Sequence, residues 1–387
     1  MGALMSARST QPGEPIAQAI TQLGVNLMTG LVGTGGGRNV VISPLCVEVS
    51  LAIAHDGAGG HTREVMARCL GFDRRDPDGS ARELSTAFRT LPAPDRLMQL
   101  YAATGTWLDA GLAVRPQYLE ANRLLFQAEL AQADLASASA AINSWLNRAM
   151  HGKISRIVER GDRLGDIALV SAAYFKGFWA RGFERRSTEI LPFNLADGSQ
   201  KPCPAMTSWG RFSYLAEDTF QAVRLPYLGD QVSMTVFLPA MGVSVSQLME
   251  VLSAERFDGS LDALYHWETG ANSVHLQLPR FKVEVNSVLN EALSGVGMGL
   301  AFDPVRAEFD SMCPDCETGL RIGLVRHCAG LDVDEDGTEA TIATWTGSIL
   351  DESPQRIPEV LVERPFVFVI RDDLNGIVLF FGAIYEP

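Results

Sequence analysis

The sequence predicts an α+β protein built around large β-sheets. Helical spacing of apolar residues prevails in roughly the first 150 residues, and strand patterns prevail after them. The clearest strand is the apolar segment 167–175, interrupted only by Ser171, which is typical of a central buried strand. Because helices and strands occupy largely separate stretches of the chain, the pattern favours the α+β class.

Four helical segments are predicted from apolar residues that recur with helical spacing: residues 16–28, 47–55, 62–69 and 142–150. The glycine-rich residues 30–37 separate the first helix from a short strand at 39–42, so we expect a loop there. It is not a nucleotide-binding loop, because no Gly-Lys-Ser/Thr follows the glycines and no strand precedes them.

Further strands follow in the second half of the chain. Residues 232–238 and 274–278 alternate between apolar and polar side chains, and Pro239 ends the first of these strands. Residues 365–370 and 376–381 are two more strands, separated by turn-forming residues, so they predict a final β-hairpin.

Composition limits the classes of partner. The chain has 387 residues, 47% of them apolar, and a formal charge of −14. This charge repels phosphates, so we expect neither nucleic acid nor an anionic membrane as partner. We find no apolar run long enough to span a bilayer, no repeat and no linker. The prediction is a flexible tail over residues 1–14 and a single domain over 15–387.

The cysteines and the amino terminus suggest a reducing compartment. Six scattered cysteines are expected to be free thiols. Cys313 and Cys316 have zinc-knuckle spacing but no second pair, so no metal site is predicted. The polar first 15 residues lack a signal-peptide core, which favours a cytoplasmic protein, although unconventional secretion stays open. Residues 1–6 match the myristoylation pattern, and whether Gly2 is modified is left open.

Enzyme signatures are missing from the sequence. It contains no Gly-x-Ser-x-Gly, no His-Glu-x-x-His and no phosphate-binding loop. Five histidines without Cys or Asp partners at useful spacing are interpreted as structural or surface residues: His55, His61, His151, His266 and His275. We therefore expect no catalytic activity and no cofactor.

Many segments together resemble the serpin family of protease inhibitors, and they follow serpin order. Tyr-Phe-Lys-Gly-Phe-Trp at 174–179 is the strongest match. The other matching segments are residues 39–44, 57–64, 142–154, 225–239, 278–282, 297–298, 364–366 and 379–382. The resemblance implies three β-sheets, eight or nine helices, a monomer, and an exposed reactive loop near the carboxyl terminus at about 335–362.

The start of this loop resembles the serpin hinge. The matching residues are Glu335, Gly337, Thr338, Glu339 and Ala340, followed by small residues. In the family, the cleaved loop inserts as a new central strand of the main sheet.

The residue chemistry of this segment is compatible with insertion. A central strand excludes proline, and none occurs over residues 337–353. Thr338, Ala340, Ile342 and Thr344 share one face, and Glu339 lies on the other, so we expect the even-numbered face to be buried.

The scissile bond is predicted between Asp351 and Glu352. In the family it lies about sixteen residues after the hinge glutamate, which points to Asp351, with Leu350 and Arg356 as alternatives. Ser348, Ile349 and Leu350 would then be the recognition residues.

Aspartate before the scissile bond implies an acid-directed protease such as granzyme B or a caspase, whose arginine-lined pocket pairs with the carboxylate. Glu352 after the bond is a poor feature for caspases. Some poxvirus serpins resemble this arrangement, which implies an anti-apoptotic role in the cytoplasm, or the host cytoplasm if the protein is viral.

A second family feature is the hydrogen-bonded network that gates opening of the main sheet. Ser43 and His327 match the family pattern, whereas Cys46 replaces a serine and Ser171 replaces an asparagine. Thiols are weak donors and serine is shorter than asparagine, so His327 is either held less firmly or held by a repacked network.

Two functions remain in competition. One is a suicide-substrate inhibitor, acting through Asp351 or, on trypsin-like proteases, through Arg356. The other is a non-inhibitory serpin that serves as a binding protein or chaperone.

Overall fold

The computed structural model describes residues 14–265, 273–316, 320–335 and 357–387. Within these ranges the chain forms nine α-helices and three β-sheets, which agrees with the predicted α+β class. The helices are α1 (Glu14–Thr34), α2 (Pro44–Gly57), α3 (Gly60–Cys69), α4 (Pro77–Arg89), α5 (Pro116–Phe126), α6 (Ser139–Ala149), α7 (Val245–Val251), α8 (Ala254–Tyr265) and α9 (Asn290–Leu293).

A six-stranded sheet contains the predicted final hairpin. Its strands, in spatial order, are β1 (Val40–Ile42), β15 (Ile377–Ile384), β14 (Phe366–Asp372), β9 (Val232–Pro239), β8 (Phe220–Pro226) and β7 (Ser213–Ala216). β9, β14 and β15 are buried at every position, and their neighbours pair antiparallel. The strand predicted at residues 232–238 is confirmed as β9, and its polar residues, Ser233 and Thr235, are buried together with the apolar ones.

A five-stranded sheet has the order β11 (Phe281–Val288), β12 (Ile322–Val333), β4 (Ile167–Gly177), β2 (Met98–Asp109) and β3 (Glu129–Ala133). β4 contains the predicted central strand and is buried over its first nine residues. Helix α2 packs against β4 on one side, and a smaller apolar cluster that includes Ile142 and Leu146 of α6 covers the other. Covered on both faces, β4 needs the nearly unbroken apolar sequence that identified it.

A four-stranded sheet has the order β13 (Glu359–Leu361), β10 (Ser273–Pro279), β6 (Gln200–Arg211) and β5 (Glu189–Asn194). β13 begins two residues after the described chain resumes at Ile357. It pairs parallel with β10, so residues 359–361, at the end of the predicted reactive loop, are a strand of this sheet.

The first helix is longer than predicted. α1 continues through Thr34, so most of the glycine-rich stretch 30–37 is helical rather than a loop. Val32 is buried, and its packing outweighs the roughly 1 kcal/mol that each glycine costs a helix. The turn is confined to the residues after Thr34, where Gly36 and Gly37 have positive φ.

Candidate functional site

The centre of the five-stranded sheet is a parallel pair of strands, β4 and β12. They pair directly from Ile322 opposite Ile167 to Leu331 opposite Phe175. The two outer neighbours, β2 and β11, run antiparallel to the strand that each adjoins. A sixth strand could join the middle of this sheet only by separating β4 from β12. We call this pair the central seam.

Small residues line the middle of the central seam on both strands. Ala172 and Ala173 of β4 lie opposite Cys328 and Ala329 of β12, and all of them are buried. Short side chains interlock less with their neighbours than large ones, so separating the strands at this point sacrifices less van der Waals attraction than at the Leu331–Phe175 pair.

A buried histidine network links the two strands of the seam to helix α2, which packs against one face of the sheet; we call this side of the seam the lower side. His327 of β12 lies in register with Ser171 of β4, and its Nδ1 is 2.8 Å from the Ser171 hydroxyl. The Nε2 of His327 accepts a hydrogen bond of 2.8 Å from the backbone N–H of Ser43, the residue that caps α2. The network therefore joins both strands of the seam to the helix beneath them.

The hydrogen bond from Ser43 fixes the form of the imidazole. A backbone N–H can only donate, so Nε2 carries no proton. Burial lowers the pKa of His327 to about 3, so the ring is neutral and its proton lies on Nδ1. The Ser171 hydroxyl therefore accepts from His327. Both ring nitrogens therefore have hydrogen-bond partners.

Cys46 lies beside this network and contacts Ser43 through both its backbone and its side chain. Its N–H is 3.5 Å from the Ser43 hydroxyl oxygen. The thiol is buried, and burial raises its pKa to about 12, so it stays uncharged. Within the described ranges, the His327 ring accepts a hydrogen bond from the Ser43 backbone and donates one to the Ser171 hydroxyl, and Cys46 contacts the ring only through Ser43.

Charged groups join the carboxyl-terminal ends of β4 and β12, which we call the upper end of the seam. Lys176, near the end of β4, lies 2.7 Å from Asp334 and 3.5 Å from Asp332 of the β12 end. The indole N–H of Trp179 donates to the carbonyl of Asp334 at 3.0 Å. These contacts hold together the strand ends between which an inserting loop would enter.

The predicted hinge begins at an anchored residue. The side chain of Glu335 is buried, accepts a 2.8 Å hydrogen bond from Thr188 and lies 3.5 Å from Arg280. Glu335 follows the end of β12 and is the last described residue before the gap. The other predicted loop residues lie outside the described residues: Gly337, Thr338, Glu339, Ala340, Ser348, Ile349, Leu350, Asp351, Glu352 and Arg356.

The prediction that all six cysteines are free thiols is wrong. Cys313 and Cys316 form a disulfide, with Cα atoms 5.3 Å apart. Pro314 favours a tight turn, in which the N–H of Cys316 donates to the carbonyl of Cys313, and this turn brings the two side chains together. The remaining four cysteines, at 46, 69, 203 and 328, are free.

Sequence reasoning missed the charged and polar groups that anchor the strand ends: Lys176, Thr188, Arg280, Asp332 and Asp334. Lys176 and Arg280 lie inside segments that resemble the family, and a charge next to an apolar strand end was the available signal. Their partners are up to 158 residues away in the chain, so no local pattern identifies the pairs.

In the described ranges, no helix is long and apolar enough to cross a bilayer. Over the same ranges, no group of three or more His, Cys, Asp or Glu residues is arranged to hold a metal ion.

Comparison with known proteins agrees with the architecture. A family model described as Serpin (serine protease inhibitor) matches residues 18–387. Serpin-Z1C of Triticum aestivum is 30% identical, with 90% of each chain covered, and Serpin B11 of Homo sapiens is 28% identical, with 91% of this chain and 94% of the relative covered. The crystal structure of Tengpin, a thermophilic serpin in the native state, superposes with a TM-score of 0.85 at 24% identity, covering 99% of this chain and 96% of that one.

Proposed function

The chain belongs to the serpin family, whose members are mostly protease inhibitors rather than enzymes, and on that basis we propose that it is a suicide-substrate inhibitor cleaved after Asp351. In this proposal the nucleophile of the protease attacks the carbonyl carbon of Asp351. The amide bond to Glu352 breaks, its nitrogen leaves as an amine with a proton supplied by the protease, and an ester or thioester remains.

The observation that carries the proposal is the direct parallel pairing of β4 with β12, next to a hinge sequence able to form a strand. A loop that leaves the upper end of β12 and folds back would run antiparallel to both strands of the seam. Insertion would therefore replace the single β4–β12 ladder with two ladders, one on each side of the new strand. This gain drives insertion once the seam opens, and the protease is trapped when insertion finishes before water hydrolyses the acyl-enzyme.

The histidine network and the charged contacts at the strand ends would then act as two latches. Ser43, Ser171 and His327 bridge the seam from below, and Lys176 joins its upper ends. Both must rearrange before a strand can enter. We assign the sheet-opening role to these groups, with Cys46 as a buried neighbour of the lower latch.

Asp351 supports an acid-directed target such as granzyme B or a caspase. A pocket built to pair with a carboxylate rejects a ligand that lacks it, because the charged groups of the pocket are then left unpaired. Action in the cytoplasm and a monomeric state belong to the same proposal. The four free thiols support a cytoplasmic site, whereas the Cys313–Cys316 disulfide does not.

The experiment is incubation with granzyme B, followed by a denaturing gel and mass analysis of the cleaved chain. The unmutated protein should give a covalent complex, and cleavage should occur after Asp351. Asp351→Ala should abolish that complex, whereas Arg356→Ala should leave it unchanged. Cleavage after Arg356 with a stable complex to a trypsin-like protease, lost in Arg356→Ala, would show that the bond is assigned wrongly. Cleavage by every protease without any complex would favour a non-inhibitory serpin.

A further inference from the structure

The four-stranded sheet carries an exposed aromatic platform beside the end of the reactive loop. Trp209 of β6 lies directly opposite His275 of β10, and His275 lies opposite Glu359 of β13. The three residues form a row across adjacent strands. We call this row, Trp209–His275–Glu359, the sheet platform.

The indole is held in place but remains largely exposed. The rings of Trp209 and His275 stack with centroids 3.9 Å apart and an angle of 5° between their planes. Even so, 60% of Trp209 is exposed. Leaving a fixed tryptophan face in water is unfavourable, and such residues are enriched at protein–protein contacts, where they carry much of the binding energy.

The platform favours a cationic partner. Glu359 is 59% exposed, and its Oε1 lies 3.5 Å from Nδ1 of His275, which makes no hydrogen bond within the described ranges. An indole face attracts a guanidinium or ammonium group, and a nearby carboxylate adds a second attraction for the same cation. The partner surface should therefore present arginine or lysine.

The platform is continuous with the reactive loop. The backbone N–H of His275 donates to the carbonyl of Pro358 at 3.0 Å, so the row starts where the loop rejoins the body. Asp351 precedes Glu359 by eight residues, which can span at most about 28 Å. A protease of about 200 residues has a radius of gyration near 16 Å, so a protease bound at Asp351 can reach the platform.

We infer that the sheet platform is a secondary docking site for the target protease, and that it binds a basic patch of that protease next to the reactive loop. This inference rests on the proposed function only in taking the loop as the place where proteases attack. Its effect is on the rate of attack. The partition between covalent complex and free cleaved chain is decided later, by insertion.

The test measures the second-order rate of loop attack, counting cleaved chain and complex together. Granzyme B is used with the unmutated loop, and trypsin with an Asp351→Arg loop. Of these two pairs, the one with the faster attack should lose about five- to tenfold of its second-order rate in Trp209→Ala. Trp209→Phe should recover much of the rate, because it keeps an aromatic face. Glu359→Gln should lower the rate and flatten its dependence on salt.

The matched control is Leu374→Ala, which removes a side chain with 61% exposure in the β14–β15 turn of a different sheet, and it should leave the rate unchanged. Melting temperatures establish that each variant is folded. Attack on Trp209→Ala at the rate of the unmutated protein, for every protease that cleaves the loop, would overturn the inference. So would a concentration-dependent dimer that is lost in Trp209→Ala while the rate stays the same. Cleavage without complex would instead count against the proposed inhibitory function alone.

Discussion

Glu48 is an acidic side chain in a place where apolar residues are the rule. It lies in α2, is completely buried, and both of its carboxylate oxygens are without a hydrogen-bond partner in the described part of the chain. Burial raises its pKa well above the usual range, so the native protein holds it as a neutral acid. The helix that carries Glu48 also carries Ser43 at its cap, below the central seam. The cost of burying this carboxyl group therefore lowers the stability of the native state, and it falls on the helix whose cap, Ser43, belongs to the lower latch.

We expect Glu48→Gln to remove part of the pH dependence of native stability. Above the ordinary pKa of glutamate the unfolded chain ionises Glu48 and the native chain does not. Stability is therefore lost as the pH rises, by about 1.4 kcal/mol per pH unit, until the raised native pKa is reached. Melting temperatures between pH 5 and pH 8 should fall less steeply for Glu48→Gln than for the unmutated protein. Glu64→Gln, at an exposed site on α3, is the control. Equal slopes for all three proteins would refute this assignment.

Ser171→Ala should loosen the seam. It leaves the buried Nδ1–H of His327 without its acceptor, which costs about 1–3 kcal/mol. Because this cost falls on the closed sheet, the variant should convert more quickly to an inactive inserted or polymeric form during mild heating. Loss of inhibitory activity at about 45 °C, followed with native gels, measures the effect.

The control for this change is Ser50→Ala. Ser50 is equally buried in α2, but its hydroxyl donates to the backbone carbonyl of Cys46. Its removal therefore leaves no buried donor without an acceptor. If both variants lose activity at the same rate, the network has no special role in keeping the sheet closed.

Among the elements, strands with one strong local signal were predictable and strands defined by their neighbours were not. β4, β14 and β15 were identified because full burial requires a nearly continuous apolar sequence. β2 was not predicted: its sequence mixes small and polar residues, and it becomes a strand through its antiparallel pairing with β4. The end of α1 was missed for a related reason, since packing of Val32 overrides the glycines around it.

The candidate site also contains residues that the sequence identified and contacts that it did not. Ser43, Ser171 and His327 were found because the family resemblance gives their positions, and the structure adds the tautomer of the histidine and the register of β4 against β12. The Trp209–His275 stack joins residues on strands 66 positions apart, and neither strand alone carries a sign of it. Contacts between distant segments depend on register, which local sequence patterns do not specify.

Thr338→Arg should convert the inhibitor into a substrate. In an inserted strand, Thr338 would be the first even-numbered residue to face the core, and a guanidinium buried there without a partner costs several kcal/mol. Insertion should slow, so that hydrolysis of the acyl-enzyme wins while cleavage stays at the same bond. The measurement is the number of inhibitor molecules consumed per protease inactivated.

The matched control is Thr341→Arg, which puts the same side chain on the opposite face of the predicted strand, the face that also carries Glu339. It should keep a nearly normal yield of complex. If Thr338→Arg also keeps it, or if the two variants behave alike, the even-numbered face is not the buried one.

At the scale of the whole molecule, the proposed mechanism requires a protein held short of its most stable state. The five-stranded sheet is complete as it stands, with β4 paired to β12 along the seam. The hinge sequence, free of proline over 337–353, is nonetheless able to supply a sixth strand. The closed sheet is then kinetically stable: the latches set a barrier to conversion, and the inserted form lies lower in free energy.

The most direct test of this central claim is the melting temperature of the chain before and after a single nick between residues 347 and 353, with the position of the nick checked by mass. Insertion would form two ladders and break the one between β4 and β12, for a net gain of about ten or more hydrogen bonds, each worth about 1 kcal/mol. The nicked protein should therefore melt at least about 10 °C higher than the intact protein. Equal melting temperatures for the nicked and intact chains would contradict the claim that the native sheet is metastable.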